Sequence, residues 1–189
     1  MEILAVSALV VAIAEIGDKT QLLSLVLASR FRKPGAILLG IVVATSANHA
    51  VAAWAGASLG ALLSPAVLHW VLIASLIGMA IWSLIPDRLD EEGSARQTQH
   101  GALITTILCF FVTEIGDKTQ IATAALAARF ETVWLVMLGT TIGMVAANLP
   151  AVVGGHLARG KFNLGWVRYA AAALFLAQAA LVADGVELF

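Results

Sequence analysis

Four carboxylates stand in two identical settings along this chain. Glu15-Ile16-Gly17-Asp18-Lys19-Thr20-Gln21 returns letter for letter as Glu114-Ile115-Gly116-Asp117-Lys118-Thr119-Gln120, 99 residues later. On a continuous helix Glu15, Asp18 and Gln21 follow one another at three-residue spacing and share a face, as do Glu114, Asp117 and Gln120. Brought together, the two copies gather four carboxylates, two amides and the hydroxyls of Thr20 and Thr119. This is an all-oxygen set. Hard divalent cations such as Ca²⁺, Mn²⁺ and Mg²⁺ take such ligands, whereas Zn²⁺ and copper favour His or Cys. Four ionised carboxylates and two lysines leave a charge of about −2, which matches one divalent ion. Crowded carboxylates in low-dielectric surroundings also take up protons. Competition between a divalent cation and H⁺ for the same oxygens is therefore the simplest exchange chemistry, with the four carboxylates carrying the protons.

Other residues around this set have assignable roles. Lys19 lies one turn from Glu15 and can pair with it or with a carboxylate of the other copy, as counter-charge or as part of proton coupling; Lys118 is its equivalent. Gly17 and Gly116 permit a helix break, a close ion approach or a helix–helix contact. Asn48 and Asn148, in the segments that follow, are 100 apart rather than 99, which implies one residue gained or lost after the motif. They serve as interhelical glue or line the site. His49 then faces Leu149 as its counterpart and has no symmetric partner. Ser24 and Thr123 are repeat-mates one turn beyond the motif threonines. The alternative for the carboxylates themselves is a structural cluster of interhelical salt bridges.

The elements that position these residues are apolar. The chain is 60% hydrophobic and 12% charged with a mean hydropathy of +0.93, whereas soluble domains are nearer half apolar and a quarter charged. Six apolar segments follow one another: 3–28, 37–63, 67–85, 102–128, 133–157 and 166–186. At roughly 20 residues per membrane crossing, they predict six transmembrane helices. Each motif sits midway along such a segment, where charge is costly and usually marks an ion or substrate path. The first segment lacks a basic start and carries Glu15 and Asp18 in its middle, so it is expected to be retained rather than cleaved. Cys109 excludes an intrachain disulfide, being the one cysteine, and is expected to be a small buried hydrophobe. The net charge of −1 gives no sign of nucleic-acid binding.

The duplication extends past the motif. Between Glu15 and Phe31, 11 of 17 positions match their counterparts from Glu114 to Phe130. The expected organisation is repeat 1 over 1–85, a hydrophilic linker over 86–100 and repeat 2 over 101–189. Lysines and arginines of the loops divide eight to one. Arg30, Arg32, Lys33, Arg88, Arg96, Arg159, Lys161 and Arg168 fall on one face, and Arg129 on the other. The linker is therefore expected in the cytoplasm and both termini outside. Three helices per repeat is an odd number, so the second repeat enters the membrane inverted. Inverted repeats place a transporter's site at mid-membrane on the repeat interface. The two repeats are expected to contribute comparably.

With E-I-G-D-K-T-Q present twice in two three-helix repeats, the chain resembles the E-x-G-D-K-[TS] cation/proton exchangers, which include Golgi manganese/calcium transporters and bacterial manganese exporters. The resemblance covers essentially the whole chain. It implies that Mn²⁺ or Ca²⁺ is exchanged for H⁺ without a cofactor and that the motif carboxylates form the cation site. The short chain looks like the bacterial members, which implies the inner membrane and Mn²⁺ export. The partners implied are divalent ions, protons and the lipid bilayer; a homo-oligomer is compatible. A lipid-phosphate hydrolase would need Arg or Ser/His for phosphate chemistry, and none lies at the depth of both motifs, so no enzyme is expected. A passive divalent-cation channel and a membrane assembly factor without transport remain as rivals.

Overall fold

The computed structural model describes residues 1–84 and 101–157, with six further helical positions between 173 and 183. The linker 86–100, Arg159, Lys161, Arg168 and Gln178 lie outside the described residues. Among the described residues seven helices can be bounded: α1 (Glu2–Glu15), α2 (Lys19–Phe31), α3 (Pro34–Gly60), α4 (Pro65–Leu84), α5 (Ala102–Glu114), α6 (Lys118–Phe130) and α7 (Val133–Leu157). The described residues contain no strand.

The expectation of one continuous helix through each motif is corrected here. Each motif-bearing segment is two half-helices, because α1 ends at Glu15 and α2 begins at Lys19, and α5 and α6 divide in the same way. The break has a local cause. Gly17 and Gly116 take φ of 81° and 74°, a region that glycine enters without the steric cost of a Cβ. Asp18 and Asp117 follow in extended backbone as the N-caps of α2 and α6. Glu15, Asp18 and Gln21 therefore do not form one helical face, nor do their repeat-mates.

Pro34 opens α3 at its first turn, where a missing N–H costs nothing. The half-helices α2 and α6 both close on a left-handed residue, Arg32 and Glu131, which are themselves 99 apart. The helices α3 and α7 are long and apolar enough to cross a membrane. Large apolar side chains face outward, among them Val51, Trp54, Trp70, Val112 and Trp134. A bilayer would cover such a surface, which soluble monomers seldom show.

Packing is exchanged between the repeats. α3 runs beside α5 and α6, where Gly40 meets Leu103 and Thr106, Gly56 meets Ala124, and Gly60 meets Ala128. In the same sense α7 runs beside α1 and α2, where Gly139 meets Leu4 and Ser7, and Gly155 meets Leu25 and Ala28. A Cβ at Gly56 or Gly143 would overlap a backbone carbonyl, of Ala124 or Ala8. Small residues let membrane helices approach this closely.

These contacts also correct the register expected from the asparagines. Gly40 and Gly139, like Gly56 and Gly155, are 99 apart, and so are the residues they touch. No residue has been gained or lost between them. At this register Thr45 is the mate of Met144, and His49 is the mate of Asn148.

Candidate metal centre

The two motif breaks meet in the buried interior of the described residues. Carboxylate oxygens of Glu15, Asp18 and Asp117 all lie within 4.8 Å of one another, and all three residues are buried. Two ligands on opposite sides of a Ca²⁺-sized ion, each about 2.4 Å from it, stand about 4.8 Å apart. One cation can thus reach all three. The N-terminal ends of α2 and α6 point toward the same region, and their cap aspartates sit where a helix dipole favours negative charge.

The lysines cross over. Lys19 Nζ lies 3.3 Å from Asp117 Oδ1, and Lys118 Nζ lies 3.3 Å from Asp18 Oδ1. Reciprocal pairing of this kind is what a two-fold relation between the motifs generates. Of the two pairings open to Lys19 from sequence, the structure shows the one with the other repeat.

Each glutamate is held by the second long helix of the other repeat. Thr45 Oγ1 donates to Glu114 Oε1 (2.8 Å), and Asn48 Nδ2 to Glu114 Oε2 (3.4 Å) and to the Phe111 carbonyl (3.0 Å). Asn148 Nδ2 donates to Glu15 Oε1 (3.3 Å) and to the Met144 carbonyl (3.0 Å). Ser24 Oγ in turn donates to Asn148 Oδ1 (2.8 Å). Glu15 Oε2 is buried with no hydrogen-bond partner among the described residues. Glu114 lies fully buried beside the group.

The glutamines are placed differently from the carboxylates. Gln21 Oε1 accepts from the Gly17 N–H (2.9 Å), and Gln120 Oε1 accepts from the Gly116 N–H (2.9 Å). Gln21 Nε2 donates to the Ala147 carbonyl (2.8 Å). Each glutamine is the third residue of its half-helix and folds back over the break to the N–H just before the N-cap, one residue beyond the N-cap N–H that the last residue of a capping box takes. The signal was present in D-K-T-Q, an N-cap residue followed three positions later by Gln, directly after a glycine. Thr119 Oγ1 donates to Asp117 Oδ2 (3.3 Å), whereas Thr20 Oγ1 is buried without a partner among the described residues. Thr123 bonds the Thr119 carbonyl of its own helix (2.7 Å). His49 is fully buried, and neither ring nitrogen has a hydrogen-bond partner among the described residues. Cys109 is half-buried.

The sequence matches a family model described as divalent cation/proton antiporter GDT1 over residues 3–91 and 102–185. A Vibrio cholerae protein named as a proposed manganese exporter is 51% identical over 180 residues, which cover 95% of this chain and 89% of that protein. A Synechocystis GDT1-like protein is 25% identical over 82% of this chain and 84% of its own length. The chloroplastic PAM71 protein of Arabidopsis thaliana is 34% identical over 52% of this chain and 26% of its own. No solved structure matches the chain.

Proposed function

This chain belongs to the GDT1 family of divalent cation/proton antiporters, and on that premise we propose that it exports Mn²⁺ in exchange for H⁺ through the buried carboxylates where its two motifs meet. The observation that carries the reading is the convergence of Glu15, Asp18 and Asp117 oxygens within 4.8 Å. A cation entering there takes oxygen from each repeat and competes with Lys19 and Lys118 for the aspartates. Glu15, Asp18, Glu114 and Asp117 hold the protons that return. Gln21 and Gln120 enter the ligand set on release from the glycine N–H groups; otherwise they brace the breaks. Ca²⁺ accepts the same oxygens, and the name of the Vibrio relative favours Mn²⁺.

The same proposal includes the architecture. Six spans form two inverted repeats, over 1–85 and 101–189, in a bacterial inner membrane with both termini outside and 86–100 in the cytoplasm. Support comes from the crossed lysine–aspartate pairs, and from α3 and α7 each running along the other repeat's motif segment. It also comes from the broken helices, which transporters use to bring half-helix ends to an ion at mid-membrane.

The test is Mn²⁺ flux in proteoliposomes under an imposed pH gradient. Protons entering should drive Mn²⁺ out, and reversing the gradient should reverse the flux. Flux blind to the proton gradient would make the protein a channel.

A further inference from the structure

We infer that Met144 sets the cation preference of this site by offering a soft donor that favours Mn²⁺, and the softer Cd²⁺ still more, over Ca²⁺. The inference rests on the carboxylate-site reading above and deepens it. Its first support is register. Gly40 and Gly139 on one side, and Gly56 and Gly155 on the other, make positions 45 and 144 equivalent in the two repeats. Thr45 uses that place to donate to Glu114. Met144 occupies the equivalent position in the helix whose Asn148 donates to Glu15.

The second support is where its sulfur lies. Met144 is fully buried, and Asn148 Nδ2 is 3.2 Å from Met144 Sδ and 3.3 Å from Glu15 Oε1. Sulfur and carboxylate share one donor. The side chain also belongs to an apolar cluster with Val11, Phe110 and Val152, so its stem packs while its thioether meets the polar site. The third support is Glu15 Oε2, a buried oxygen with no hydrogen-bond partner among the described residues. An ion that satisfies this oxygen comes within reach of an unbranched, flexible thioether. Ca²⁺ takes oxygen ligands and gains little from sulfur, whereas softer ions gain more.

The experiment is binding of Mn²⁺, Cd²⁺ and Ca²⁺ to purified protein by calorimetry, with Met144→Leu, which nearly conserves volume, and Met144→Thr, which installs the residue of the other repeat. Both variants should lose about tenfold in Cd²⁺ affinity and several-fold in Mn²⁺ affinity, with Ca²⁺ affinity held within about twofold. Manganese-edge X-ray absorption of the Mn²⁺-loaded wild type should show a sulfur scatterer that Met144→Leu lacks. Equal losses for all three ions, or no change for any, would overturn the assignment. Asp117→Asn separates this failure from a failure of the site itself. If Asp117→Asn abolishes binding while Met144→Leu keeps the wild-type ion preference, the thioether role alone falls. If Asp117→Asn binds as wild type, the carboxylate site falls and the role of Met144 with it.

Discussion

The two halves of the site share every letter of their motif and differ in what holds it. Around Glu114, Thr45 and Asn48 occupy both carboxylate oxygens. Around Glu15, Asn148 bonds one oxygen, and the other has no hydrogen-bond partner among the described residues. Thr119 reaches its neighbouring aspartate, whereas Thr20 Oγ1 bonds nothing described. The lysine facing Asp18 is 3% exposed and the one facing Asp117 is 25% exposed. Gly17 is buried and Gly116 exposed. Duplication therefore kept the break, the carboxylates and the crossed lysines, while α3 and α7 diverged around them. A pair of half-sites that differ in this way need not load protons and metal in equal shares. The half around Glu15 has a carboxylate oxygen without a hydrogen-bond partner among the described residues, and a buried, unsatisfied acceptor costs about 1–3 kcal/mol.

The aspartates offer the sharpest test of what the halves share. Asp18→Asn and Asp117→Asn each remove charge and keep shape, so both should lower Mn²⁺ flux about a hundredfold or more. They should part company in stability. Asp18 faces the more deeply buried lysine, and breaking a buried pair costs about 3–5 kcal/mol, less where one partner, as Lys19, keeps some contact with water. Thermal melting in detergent should show the larger fall for Asp18→Asn. A variant transporting at the wild-type rate would remove its carboxylate from the site.

The glutamates test the difference directly. Protonated carboxyls are poor ligands, so metal binding releases protons and apparent Mn²⁺ affinity must rise with pH and fall as pH drops. Glu15→Gln should flatten this dependence between pH 5.5 and 8.5 and cost about tenfold in affinity, or about 1.4 kcal/mol. Glu114→Gln keeps an oxygen for Thr45 and should do less on both counts. Equal effects would show that the asymmetry around the glutamates has no bearing on loading.

Much of this was legible in the sequence, for physical reasons that also explain the misses. Apolar length reports spans, so α3 and α7 fall where the hydropathy puts them, within about three residues. A repeated, costly charge in an apolar segment predicts that the two motifs come together, and oxygens of Asp18, Asp117 and Glu15 do converge. The break was harder to see because three-residue spacing suits a ligand face and a capping box equally. Glycine before D-K-T-Q was the arbiter. The asymmetry could not be read from the motifs, since they are identical. Around the glutamates it resides in Thr45 and Met144, whose equivalence appears only once glycine contacts set the register.

The break itself should be sensitive to backbone more than to bulk. A Cβ at Gly116 meets nothing within 4 Å, so Gly116→Ala is penalised through its φ of 74°. The left-handed region costs an ordinary residue about 1–2 kcal/mol, and Gly116→Asn should cost less because asparagine tolerates it. Melting temperatures and Mn²⁺ flux should rank wild type, Asn and Ala in that order. Equal losses for Ala and Asn would point to bulk instead of conformation.

The smallest expected effect separates the halves most cleanly, at the repeat-mates Ser24 and Thr123. Ser24 Oγ donates to Asn148 Oδ1 at 2.8 Å, and this orients the amide that donates to Glu15. Thr123 Oγ1 donates to a carbonyl of its own helix, a bond that leaves the site alone and adds little to a helix. Ser24→Ala removes one buried hydrogen bond, about 1 kcal/mol, and frees Asn148 to turn. It should raise the Mn²⁺ concentration for half-maximal flux by a few-fold and leave the maximal rate near wild type. Thr123→Ala should leave both unchanged. The contrast holds if the chain from Ser24 through Asn148 to Glu15 positions a working ligand. Matching shifts in the two variants would mean that both hydroxyls act through packing, and the half-sites would then be equivalent in function despite their different partners.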